Sequence, residues 1–172
     1  MEHLGWMKKV RRKQVYEGKL FDVVVENWGE REREIVEHSG SVTIVPIDAA
    51  GRIVLTRQFR EAARKELLEL PAGMLDEGEA PLACAKRELA EETGLHGGEW
   101  RELRRIQPSP GILREPVTIF LAEGLEEGER ALEDGEEIEI VRLSRAQLEA
   151  RLDEFEDAKT LVGVLFYLRE RL

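Results

Sequence analysis

The sequence predicts an α/β (α+β) protein, a mixed β-sheet sandwiched between helices in three layers (α/β/α) and fronted by an N-terminal antiparallel β-hairpin. Three observations predict it. Residues 42–47 and 53–59 are short apolar runs rich in β-branched side chains, divided by the turn-forming Asp48-Ala49-Ala50-Gly51-Arg52. Pro81 and Gly94 bracket a stretch of helical periodicity, Pro suiting a first turn and Gly a left-handed C-terminal cap. Residues 160–172 close the chain with Leu161, Val164, Leu165 and Leu168 along one helical side.

In chain order, residues 14–16 and 20–28 read as two strands around Glu17-Gly18-Lys19. In the second, Leu20, Asp22, Val24 and Glu26 alternate against Phe21, Val23, Val25 and Asn27. Residues 29–34 are polar and charged, which predicts a turn, and 34–38 a third strand. His38 has no partner at metal-ligand spacing and reads as an ordinary strand histidine. The strand 53–59 ends in Arg57-Gln58-Phe59-Arg60, where two guanidinium forks suited to phosphate or carboxylate flank an aromatic ring. Arginines at strand ends are common, so that motif alone decides little. A short strand at 66–70 runs through Pro71-Ala72 toward the helix 81–93.

On that helix Leu82, Ala85 and Leu89 share a stripe, while Glu88, Glu91 and Glu92 cover the neighbouring arc at i, i+3 and i+4. Three close carboxylates repel unless a cation sits among them. Mg²⁺ prefers oxygen ligands, keeps several waters and is held by a few carboxylates with substrate phosphates, so the cluster suits a metal-assisted phosphate site, with Mn²⁺ as a substitute. The alternative is a plain solvated helix face, with Arg87 and Glu79 as surface ion pairs. Beyond the helix come a strand at 100–106, a loop at 107–115 stiffened by Pro108 and Pro110, and a strand at 117–122. The acidic segment 123–137 reads as a surface loop, 138–142 as the last strand, and Ser144 as the cap of a helix running toward Leu152.

At 172 residues the chain fits one domain. Its net charge of −10 disfavours a backbone-neutralising nucleic-acid binder, and the short basic run from Lys8 to Lys13 reads as a solvated tail. Cys84 is the only cysteine, which excludes an intrachain disulfide and fits a small buried side chain. No run of eighteen apolar residues predicts a membrane span, and a cytoplasmic protein is expected.

Gly73, Glu79, Arg87-Glu88-Leu89, Glu91-Glu92 and Gly94-Leu95 complete the pattern G-x5-E-x7-R-E-U-x-E-E-x-G-U, where U is aliphatic. That pattern resembles the Nudix box. The flanks are similar to the ADP-ribose pyrophosphatase branch of the Nudix hydrolases: Val36-Glu37-His38, Arg57-Gln58-Phe59-Arg60, Leu68-Glu69-Leu70-Pro71-Ala72-Gly73, Ser109-Pro110-Gly111 and the closing Leu161-Val162-Gly163-Val164-Leu165. The resemblance implies a Nudix fold and Mg²⁺-dependent hydrolysis of ADP-ribose to AMP and ribose 5-phosphate. A nucleotide-sugar hydrolase acting on GDP-mannose and a noncatalytic nucleotide sensor are the alternatives.

Carried over by position, the resemblance implies that Glu88, Glu91, Glu92 and the Ala72 carbonyl hold the metal. It implies a substrate-binding set of Arg57, Arg60, Glu69, Met74, Pro110, Glu115 and Trp28. The resemblance implies that a glutamate of the late acidic loop can act as general base, while some members of the branch rely on box glutamates instead. Glu133, Asp134, Glu136 and Glu137 compete for that role, and Glu136 stands for them in the catalytic set with the three box glutamates. The resemblance also implies a homodimer, built by N-terminal strands (1–40) ahead of the hydrolase domain (41–172). Trp28 or Phe21 would stack on adenine or, alternatively, pack in a core or interface.

Overall fold

Alternation along each central strand sends apolar side chains to two opposite sides, and helices cover both. The computed structural model describes residues 9–132, 135 and 137–170. The strands are β1 (Lys9–Glu17), β2 (Asp22–Trp28), β3 (Arg31–Glu37), β4 (Ser41–Pro46), β5 (Ile53–Arg60), β6 (Lys65–Glu69), β7 (Ala72–Met74), β8 (Leu95–Ile106), β9 (Leu113–Arg114), β10 (Val117–Glu127) and β11 (Glu139–Leu143). The helices are α1 (Pro81–Thr93), α2 (Arg145–Ala150) and α3 (Ala158–Glu170), with a 3₁₀ turn at Leu152–Glu154. Three sheets result, ordered β1-β2-β3-β9, β7-β4-β10-β8 and β11-β5-β6. The first two are mixed, because β9 joins β3 and β10 joins β4 in parallel. The predicted mixed α/β architecture is present.

The described residues group into two compact units. One comprises residues up to Gly40 with Gln107–Pro116, the other Ser41–Ile106 with the chain from Val117 on. In the second unit Val42 and Ile44 of β4 and Phe120 and Ala122 of β10 pack with Cys84, Ala85 and Leu89 of α1. Their alternates Val45, Val117, Ile119 and Leu121 pack with Val164, Tyr167 and Leu168 of α3 and Leu148 of α2. A parallel β4–β10 pair buried on both faces needs such cover. α1 spans thirteen residues, with Pro81 at its start and Gly94 in the left-handed conformation at φ 75° at its end. A Cβ on Gly94 would also stand 2.5 Å from the Gly128 carbonyl.

Several boundaries differ from expectation for identifiable reasons. The basic run is not a free tail from Lys9 onward, since Lys9 to Lys13 pair with Trp28 to Val25 on β2. The turn expected over 29–34 shrinks to Gly29-Glu30, because Arg31 to Glu34 pair with β2 through backbone bonds that exposed charged side chains do not oppose. Acidic residues 123–127 are strand, because β8 begins at Leu95 and meets them across the sheet, with Leu125 buried opposite Gly97. Positive-φ glycines at 97, 98 and 124 hide that pairing from a propensity argument. Leu82 and Leu165 were placed on packed stripes but stand 40% and 46% exposed; Cys84 and Tyr167 occupy the buried positions instead. Among the described residues no helix is long and apolar enough to cross a membrane.

Candidate active site

The path from β6 to α1 is set by backbone pairing. After Glu69 the Leu70 amide donates to the Thr160 hydroxyl at 2.9 Å, and the Ile44 amide donates to the Pro71 carbonyl at 2.8 Å. β7 then pairs antiparallel with β4, Ala72 opposite Thr43 and Gly73 opposite Val42. A Cβ on Gly73 would lie 1.8 Å from Glu88 Cδ and 2.0 Å from its Oε1. Only a glycine lets the Glu88 carboxylate seat against the β7 backbone, next to Ala72. The sequence pattern supplied Gly73 as a fixed position without this reason.

Arg87 organises the carboxylates and the loop before the helix. Its Nε and Nη2 donate to the two oxygens of Glu79 at 3.1 and 2.9 Å, and Nη2 also reaches the Met74 carbonyl at 3.2 Å. Nη1 donates to Glu88 Oε1 at 2.8 Å and Glu91 Oε2 at 3.1 Å. Glu79 in turn accepts from the Asp76 amide at 3.1 Å, which pins the loop. The Arg87 hydrogen bonds hold the Glu79 carboxyl down at about 2, against a partial opposing effect of burial. The same bonds push the Arg87 guanidinium pKa further up, so it is charged at every working pH. Burial, then the nearby Glu79 and Glu88 charges, push the Cys84 thiol up to about 12, and its Sγ donates to the Met74 carbonyl at 3.3 Å. Cys84 is therefore an inert packing residue.

Glu92 lies on the packed stripe with Ala85 and Leu89 and is only 5% exposed. The solvated-face alternative fails for this carboxylate, because its side chain is withdrawn from solvent. Among the described residues no three acidic, His or Cys side chains stand close enough together to hold a metal ion by themselves. Glu88 and Glu91 instead converge on Arg87, with Glu88 seated in the gap left by Gly73. An all-oxygen donor set on one helix, with Glu88 seated at Gly73, fits a hard cation that keeps waters and shares substrate oxygens.

The two strand-end arginines separate. Val54 packs with α1, whereas Ile53 and Leu55 pack on the α2 and α3 side. By strand alternation Thr56 and Arg60 follow Val54, and Arg57 follows Leu55. Arg60 Nε donates to the buried Glu69 Oε2 at 2.8 Å. Arg57 pairs instead with Glu139 on β11 at 3.4 Å. Residues three apart on a strand face opposite ways, so the two guanidinium forks leave β5 on opposite faces.

In the first unit, Trp28 and Pro110 line one cavity of about 630 Å³ with Glu26, Arg33, Glu37 and Gln107. Trp28 Nε1 donates to Glu26 Oε2 at 3.0 Å. Glu26 was not foreseen as a site residue, although it shares the alternation phase of Val24 and both are buried. Glu115 stands 4.0 Å from His38 Nδ1, outside this cavity. Glu133, Asp134 and Glu136 lie outside the described residues.

The NUDIX domain family matches residues 37–162. The chain is 35% identical over 175 aligned residues to the ADP-ribose pyrophosphatase of Bacillus subtilis (strain 168), covering 96% of this chain and 95% of that protein. It is 32% identical to the methanol dehydrogenase activator of Bacillus methanolicus, over 92% of this chain and 91% of that one. A crystal structure of an ADP compounds hydrolase superposes with a TM-score of 0.82 at 23% identity, covering 100% of this chain and 97% of that one, a likeness of fold.

Proposed function

This chain belongs to the Nudix family as a Nudix hydrolase, and on that premise we propose that it hydrolyses the pyrophosphate of ADP-ribose to AMP and ribose 5-phosphate with Mg²⁺. The observation that carries the chemistry is the Glu88 carboxylate seated on Gly73, with Glu91 and the buried Glu92 on the same helix. The substrate is supported by near full-length similarity to an ADP-ribose pyrophosphatase.

In this reading Glu88, Glu91, Glu92 and the Ala72 carbonyl hold Mg²⁺, and Mn²⁺ substitutes. The bound ion supplies charge neutralisation at the pyrophosphate oxygens and a water of lowered pKa. Arg60 offsets charge on one phosphate, and Trp28 and Pro110 receive the adenosine end. The water oxygen bonds to one phosphorus as the bridging P–O bond breaks, and its proton passes to a carboxylate of the acidic loop, with Glu136 assigned that role. Glu69, Met74, Arg57 and Glu115 complete the set that orients substrate. The protein acts as a cytoplasmic homodimer, a reading supported by exposed Val15, Tyr16, Leu20 and Phe21 on and beside the N-terminal strands.

Initial rates with ADP-ribose, GDP-mannose, NADH, FAD and dNTPs, with and without EDTA, test the assignment. ADP-ribose should give the highest kcat/KM, and EDTA should abolish turnover until Mg²⁺ or Mn²⁺ is restored. A clear preference for another compound replaces the substrate, and metal-independent turnover removes the mechanism. A light-scattering mass of one chain removes the dimer.

A further inference from the structure

We propose that Glu69 is a positioning residue: it grips Arg60 by Nε and thereby presents Nη1 and Nη2 together to a substrate phosphate. The proposal rests on the functional reading above, in which Arg60 meets that phosphate. Glu69 is 4% exposed and its Oε2 accepts from Arg60 Nε at 2.8 Å. Its place is fixed by pairing, since Glu69 stands opposite Thr56 on β5 and its carbonyl accepts from the Thr56 hydroxyl at 3.5 Å. Arg60 follows four residues later on the same face, with its side chain 40% exposed. Neither Nη of Arg60 hydrogen-bonds to a described residue.

The geometry has a direct chemical meaning. A guanidinium held through Nε keeps its Nη1–Nη2 edge free, and that edge matches two oxygens of a phosphate in bidentate fashion. Arg60 lines a cavity of about 500 Å³ together with Gln58, Phe59, Glu61 and Glu137. An arginine without a buried anchor would have to freeze its rotatable bonds at the moment of binding; here Glu69 has frozen them beforehand. Direct contact between Glu69 and the substrate is disfavoured on charge, because a carboxylate repels pyrophosphate, and on access, because it is buried. The same buried anion partly cancels the attraction of Arg60. Glu69 therefore acts through direction rather than through charge.

Steady-state kinetics on ADP-ribose, with melting curves, separate these effects in Glu69→Gln, Glu69→Met, Arg60→Ala and the Glu69→Met/Arg60→Ala double variant. Glu69→Met keeps volume but removes the acceptor, and should raise KM about tenfold while kcat stays within about threefold. Glu69→Gln keeps an oxygen toward Nε and should restore KM to within about threefold of wild type. In the Arg60→Ala background Glu69→Met should change KM by less than about twofold. An equal KM penalty with and without Arg60 overturns the proposal, as does a Glu69→Gln variant as impaired as Glu69→Met. Failure of the functional reading looks different, because wild-type protein itself would then not turn over ADP-ribose.

Discussion

Arg87 meets both oxygens of Glu79, Nε to Oε1 at 3.1 Å and Nη2 to Oε2 at 2.9 Å, while its remaining Nη1 reaches Glu88 and Glu91. One guanidinium thus fixes the entry loop and two proposed metal ligands at once. Lys offers a point charge and cannot span both partners. Arg87→Lys should lower kcat by about 10²-fold and destabilise by about 1–3 kcal/mol, the cost of breaking part-buried charged hydrogen bonds. Urea unfolding and initial rates with Mg²⁺ measure the two effects. A rate within twofold of wild type would show that the fork is not needed.

The same pair makes a prediction in acid. The Glu79 carboxyl has an ordinary value of 4.5 and is held at about 2 in the folded protein, chiefly by Arg87. A depressed carboxylate contributes stability that is fully present above the unfolded value and is lost as pH falls through the folded one. The contribution should therefore be complete above about pH 4.5 and disappear progressively toward pH 2. Glu79→Gln removes it, so urea midpoints of wild type and variant should differ at pH 6 and converge near pH 2. Parallel curves over that interval would reject the assignment.

Gly73 makes the sharpest steric case. Its φ is not in the left-handed region, so alanine is tolerated by the backbone itself. The three closest contacts would all be with Glu88, whose carboxylate carbon would lie 1.8 Å from the new methyl group. Gly73→Ala should thus displace Glu88 more than it disturbs the strand. The expected result is a fall in kcat of about 10²-fold or more and a raised Mg²⁺ requirement, with circular dichroism unchanged. Mg²⁺ titration of the rate at saturating substrate checks it, and a wild-type metal dependence would show that Glu88 does not need this seat.

What could be read in the sequence follows from the kind of physics involved. The limits of α1 were legible because Pro81 and Gly94 act locally, and both mark its ends in the structure. The two-sided core was legible in β4 and β10 because burial on both faces leaves long apolar runs. The strand at 123–127 was not, since its acidic side chains obey solvent exposure while its backbone obeys pairing with Leu95 to Glu99, a partner far away in sequence. In the site, the spacing of Glu88, Glu91 and Glu92 placed the carboxylates on one helix. The burial of Glu92, the separation of Arg57 from Arg60 and the hold of Glu69 on Arg60 depend on which face of which strand meets which helix, a tertiary fact.

A stability prediction comes from the joint between the strand path and the last helix. The Thr160 hydroxyl accepts the Leu70 amide at 2.9 Å and donates to Asp157 Oδ2 at 2.8 Å, while the Thr160 amide donates to the same oxygen at 2.8 Å. Burial pushes the Asp157 carboxyl up, but Lys159 and these Thr160 bonds outweigh it and leave it below its ordinary value. Thr160→Val keeps shape and removes only the hydroxyl, so the buried Leu70 amide loses its acceptor. The cost should be about 1–3 kcal/mol, the desolvation penalty of an unmade hydrogen bond, or a melting shift of several degrees for a chain of this size. Leu70 lies two residues before Ala72, so loosening its anchor also loosens the carbonyl assigned to the metal. Thr160→Ser keeps the hydroxyl and should recover most of the stability. Calorimetry of both variants decides, and equal melting losses in Val and Ser would trace the effect to packing instead of the hydrogen bond.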